Sequence, residues 1–95
     1  MPRVQLIEID LQAIASVEDL HSALMKSLSF PAWHGANWDA FWDSITGLVE
    51  MPHRIKLLGW RQFSQRLPRE AALLKECLSE MQSEYPQLAS EAIYA

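Results

Sequence analysis

Ninety-five residues, 49% hydrophobic and 21% charged, imply one globular domain near the lower end of the usual size range and exclude a disordered chain. A net charge of −4, from 12 acidic against 8 basic side chains, excludes the basic footprint of a general nucleic-acid binder and suits a basic partner. Cys77 is the single cysteine, so no internal disulfide forms; MPRVQLIEID is too charged for an export segment and no apolar run reaches membrane-span length, which predicts a cytoplasmic protein without a membrane partner.

Residues 4–10, VQLIEID, are rich in β-branched and apolar types and predict a first strand. The segment ASVEDLHSALMKSLSF then changes to helical period. Ser16 is placed to cap it, Glu18 and Asp19 fall in the favourable first turn, and Leu20, Ala23, Leu24 and Leu28 form one buried stripe. Pro31 disfavours helical angles at its predecessor and is expected to stop the helix, leaving AWHGA as a loop with Gly35 as its flexible point.

Asn37 is placed to cap a second helix, WDAFWDSITGLV. At about 100° per residue, Trp38, Phe41, Trp42, Ile45, Leu48 and Val49 gather on one side. Asp39 and Asp43 gather on another, beside Ala40, Thr46 and Gly47. The helix thus has a core face and a separate, acidic, sterically open face.

Residues 53–59, HRIKLLG, predict a second strand, and WRQFSQRL a short helical turn. Pro68 suits the first turn of a third long helix, REAALLKECLSEMQSEY, whose inner face is Ala71, Leu74, Cys77, Leu78 and Met81, with Glu80 and Glu84 off it. Pro86 ends that helix, and LASEAIYA predicts a closing strand. Strands separated by helices imply right-handed crossovers and a small parallel sheet.

The Asp39/Asp43 pair is the feature that needs explaining. Like charges four residues apart repel by a few tenths of a kcal/mol, roughly what a favourable pair contributes. Asp39 gains from the helix N-terminus; Asp43, a full turn further in, gains little. A solvated helix face is the ordinary explanation. Acid–base catalysis is another, but no nucleophile and base, glycine-rich phosphate loop or metal motif accompanies the pair, and His21, His34 and His53 lack ligand spacing. An enzyme and a cofactor are therefore not expected. Trp33 stands in a loop where no period demands burial, and aromatics beside a small-residue acidic face have the composition of an interface hot spot.

The run P-A-W-H-G-x-N-W-D-A-F-W-D-x-x-T-G-L-V-E-x-P, followed by LGWRQF, closely resembles the barstar family of intracellular ribonuclease inhibitors. The similarity spans essentially the whole chain and is strongest over residues 31–63. It implies a single α/β inhibitor domain over residues 1–95, a three-stranded parallel sheet packed with three to four helices. It also implies inhibition by occlusion, the second helix and its preceding loop plugging the cationic active site of a small basic ribonuclease. By position, Asp43 matches the carboxylate that enters the enzyme's phosphate site, and Asp39 one that pairs with a guanidinium. Trp33 matches a tyrosine that packs on the catalytic histidine. Gly35, Asn37, Trp38, Trp42, Thr46, Gly47 and Leu48 match further contact positions, and Glu80 an outlying acidic contact. His34 and Trp33 stand for tyrosines, Leu48 for a tryptophan and Trp38 for a leucine, which suggests an intact cation-capturing centre with a reshaped rim. The implied protein is a monomer when free, an immunity protein or antitoxin. The competing reading is a regulator on the same scaffold whose partner is not a ribonuclease.

Overall fold

Three short strands, β1 (Leu6–Asp10), β2 (Arg54–Leu58) and β3 (Glu91–Tyr94), form one sheet in the order β1-β2-β3, both pairs parallel. The structure, a computed structural model, describes residues 3–31 and 35–95. Between β1 and β2 run α1 (Val17–Ser27), α2 (Trp38–Asp43) and a π-helical turn, Ser44–Leu48; between β2 and β3 run α3 (Trp60–Arg66) and α4 (Pro68–Glu84). The architecture is the α/β fold expected, a three-stranded parallel sheet with four α-helices.

Register explains which face of the sheet carries the core. Ile7 pairs with Ile55 and Ile9 with Leu57, while Ala92 and Tyr94 continue the same two rows on β3. Ile9, Ile55 and Leu57 are buried and pack with Leu20, Leu24 and Leu28, with Phe41 and Ile45, and with Ala71, Leu74, Leu78 and Met81. The intervening rows carry charge: Lys56 pairs with Glu8 and Arg54 with Glu91, each at 4.0 Å. The helices therefore cover one face and solvent the other, an arrangement that alternating strands permit even in a parallel sheet.

The caps form as their residue types dictate. The Ser16 hydroxyl accepts from the Asp19 N–H at 3.1 Å, and Pro68 opens α4 at its first turn. The end of α1 has a different cause from the one expected. The helix stops at Ser27 by a Schellman closure, Phe30 N–H donating to the Met25 carbonyl at 2.9 Å and Ser29 N–H to that of Lys26 at 3.4 Å. Ser29 takes the left-handed conformation this requires, at φ 58°, so the helix is over before Pro31 acts.

Two arginines staple irregular segments. Arg3 donates from Nε to the Met51 carbonyl at 2.8 Å, and from its terminal nitrogens to those of Pro52, Gln87, Leu88 and Ala89, each at 3.1 Å. It thereby joins the chain's beginning to the segments preceding β2 and β3. Arg66 forks onto the carbonyls of Ile14 and Gln12 beyond β1. Gly59, at φ 70°, starts α3 in the left-handed region, and a Cβ there would come within 3.1 Å of the Gln12 backbone.

Candidate functional site

The acidic face is built from the cap outward. Asn37 Oδ1 accepts from the Ala40 N–H at 2.8 Å, which starts α2 at Trp38 and sets Asp39 in its first turn. Gly35 belongs to this corner through a close approach: a Cβ would stand 3.0 Å from Asn37 Nδ2. Trp33 and His34, expected in the same loop, lie outside the described residues.

Trp38 is half-buried at the junction of three helices. Its indole stands edge-on to His21 of α1, with centroids 4.7 Å apart, and to Phe41 at 5.3 Å. Its Nε1–H donates to Glu70 Oε2 of α4 at 2.7 Å, a charge-assisted bond across 32 positions of sequence. Trp42, one turn on, lies against Tyr85 at the far end of α4, at 6.5 Å between ring centroids. The two tryptophans thus bridge α2 to opposite ends of α4.

Between the bridges runs a groove of about 500 Å³. Trp38, Trp42, Leu73 and Cys77 supply its apolar lining, and Asp39, Asp43, Glu76 and Glu80 its carboxylates. All four carboxylates belong to residues exposed to solvent. Three of them act on the thiol: burial first, then Glu80, Glu76 and Asp39, push Cys77 up from 9.0 to about 11. A groove of this kind favours a cationic group with an apolar stem.

Cys77 corrects its expected place. Spacing sets it among the inner residues of α4, but the side chain is only half-buried and lines the groove. Glu76 and Leu73 line it too, and the sequence pattern did not single them out. One signal was available: Glu76 and Glu80 repeat the i, i+4 acidic spacing of Asp39 and Asp43.

The second helix does not run on as an α-helix to Val49. After Asp43 its ladder widens to the π spacing, with Val49 N–H donating to the Ser44 carbonyl at 3.1 Å, five residues back. The wider turn retards the phase and leaves Leu48, expected on the core side, 48% exposed. Thr46, Gly47 and Leu48 consequently line a second hollow of about 310 Å³, with Arg3 and the exposed Leu88 opposite. A Cβ on Gly47 would meet nothing within 4 Å, so this surface is open to another chain's backbone. Trp38, Asp39, Trp42, Asp43 and Glu80 of the expected contacts therefore lie in the acidic groove and Thr46, Gly47 and Leu48 over the π turn, while Gly35 and Asn37 stand at the cap corner outside both. No set of His, Cys, Asp and Glu that would hold a metal ion occurs among the described residues, and no helix among them is long and apolar enough to cross a membrane.

Comparison with known proteins identifies the family. The family model described as "Barstar (barnase inhibitor)" matches residues 4–93. A Bacillus subtilis (strain 168) protein named "Putative ribonuclease inhibitor YrdF" is 35% identical over 78 residues, covering 82% of this chain and 86% of that protein. The chain belongs to the barstar family.

Proposed function

We propose, taking membership of the barstar family as the premise, that this protein is a ribonuclease inhibitor whose acidic groove and π turn plug the cationic active site of a small basic ribonuclease. The observation that carries the reading is the convergence of Asp39, Asp43, Glu76 and Glu80 around an aromatic-lined groove. A ribonuclease site is concave and cationic because it holds phosphates. Carboxylates on a braced helix can take the phosphate positions and accept charge-assisted hydrogen bonds in place of RNA oxygens.

The roles follow the family's pattern on these positions. Asp43 enters the phosphate site, Asp39 and Glu80 meet flanking cations, and Asn37, Trp38, Trp42, Thr46, Gly47 and Leu48 shape the surrounding contact, with Gly35 holding the preceding corner. Trp33 is the loop anchor of this proposal. The protein acts by occupancy and turns nothing over; it takes no cofactor and contacts neither nucleic acid nor membrane. It works as a cytoplasmic monomer, an immunity protein or antitoxin for the cell that makes the nuclease.

The test is inhibition of RNA cleavage by a panel of small basic ribonucleases that includes barnase, titrated with the purified protein. Stoichiometric one-to-one inhibition of at least one enzyme is expected. Indifference of the whole panel, together with recovery of a non-nuclease partner from the native cell, would favour the regulator reading instead.

A further inference from the structure

The bond between Trp38 and Glu70 lies outside the carboxylate set that faces the groove. Glu70 is half-buried in the first turn of α4 and directs Oε2 at an indole, not at solvent. Its partner is the same indole that lines the groove and packs against His21 and Phe41. α2 is only six residues long and continues into a π turn, so its own ladder holds it weakly. What fixes its angle to α4 must come from side chains. At this end of the groove Trp38 to Glu70 is a polar link between the two helices, while the far end has the apolar contact of Trp42 with Tyr85.

We propose that Glu70 is a positioning residue for the inhibitory face: by holding the Trp38 indole across the α2–α4 junction, it fixes the width of the acidic groove and hence the placement of Asp39 and Asp43. This inference rests on the inhibitor reading for its consequence in binding, but its geometric part does not. Breaking the bond frees an indole that covers part of the groove, and Cys77 in the same groove reports the opening. Glu70 also interacts with the N-terminus of α4. Glu70→Gln loses that charge but keeps an oxygen able to accept from the indole, whereas Glu70→Ala loses both. A role limited to helix stability would make the two variants alike; a positioning role separates them.

The experiment has two arms. In the first, the free protein and its Glu70→Ala, Glu70→Gln and Trp38→Phe variants are treated with dithionitrobenzoate under native conditions, and the Trp38 indole N–H is followed by nitrogen-15 NMR. Glu70→Ala and Trp38→Phe should each raise the Cys77 rate roughly tenfold, equivalent to about 1.4 kcal/mol. The double variant should add little to either single one, and Glu70→Gln should stay within about twofold of wild type, since a retained bond leaves most of that free energy in place. The indole resonance should move in Glu70→Ala far more than in Glu70→Gln. In the second arm, barnase is the probe, and Glu70→Ala should weaken capture roughly tenfold, with Glu70→Gln restoring most of it. Unchanged thiol and indole readings in Glu70→Ala, or a Gln variant indistinguishable from the Ala one, would overturn the proposal. The first arm involves no partner, so it decides the geometric role even where wild-type protein leaves barnase untouched, a result that would count against the inhibitor reading alone.

Discussion

The Thr46 hydroxyl donates to the Trp42 carbonyl at 2.6 Å, four residues back and across the point where the α ladder widens to the π turn. The hydroxyl thereby ties the last full turn of α2 to the π turn that follows it. Spending its hydrogen inward, Thr46 presents only oxygen lone pairs outward, the polarity a cationic partner needs. Thr46→Val keeps the shape and loses the bond, so the free protein should lose about 1 kcal/mol of stability in a urea melt. Binding should weaken as well. A valine variant as stable as wild type would show that the π turn holds without this bond.

Much of the fold was legible in the sequence because local chemistry decides it. Ser16 and Asn37 cap as their side chains dictate. The Leu20, Leu24 and Leu28 stripe is buried as its period requires, and Pro68 opens α4. The π turn was not legible: SITGL has ordinary helical period, and one extra residue per turn leaves no mark in composition. That is why Leu48 was expected inward and lies out. Pairings between distant residues were equally silent, since nothing in a single sequence links Trp38 to Glu70 or Arg3 to the carbonyls near β2 and β3. Of the site, the acidic face of α2 was readable by spacing, and the opposite wall only in part. Cys77 misled because it lies between Leu74 and Leu78, and a helical wheel does not show where a neighbouring helix leaves a gap.

The thiol of Cys77 gives a pH prediction. Burial and the surrounding carboxylates move it from 9.0 in an unperturbed chain to about 11 in the folded one. Between those values the unfolded state releases its proton first. The contribution to stability is therefore full below pH 9 and is lost as pH rises towards 11. Alkylation by iodoacetamide should show the same shift: at pH 8 the native thiol should react about 100-fold more slowly than in urea, with its rate still rising beyond pH 10. Equal native and denatured rates would mean that the groove neither buries the thiol nor brings carboxylate charge near it.

Association with the ribonuclease should be steered by charge. The chain carries −4 overall, and four of its acidic residues rim one groove. Screening between exposed charges becomes strong beyond about 8 Å at physiological ionic strength, and the field that guides encounter acts over longer distances than that. The association rate should fall clearly from low to physiological salt, while dissociation, governed by contacts already made, changes less. Stopped-flow mixing across a salt series measures both. An association rate indifferent to salt would remove the case for a cationic site on the partner.

Asp43 sets function against stability most directly. It lies at the end of α2, caps nothing, gains little from the helix N-terminus, and shares the groove with Asp39 one turn away. Alanine has the better helix propensity and removes the repulsion, so Asp43→Ala should leave the free protein as stable as wild type or more so, by up to about 1 kcal/mol. Under the proposed occlusion, the same change would take an anion out of a cluster of enzyme cations that the complex desolvates. Leaving such charges buried and unpaired costs about 3–5 kcal/mol, and that loss should appear in affinity. Asp39→Ala should cost less binding, and its gain in stability should be smaller because Asp39 also serves the N-terminus of α2. The pair of measurements is a denaturant melt and a ribonuclease titration on each variant. Stability and inhibition should move in opposite directions for Asp43. If Asp43→Ala unfolds more easily and still inhibits, the carboxylate is structural and the occlusion mechanism loses its central contact.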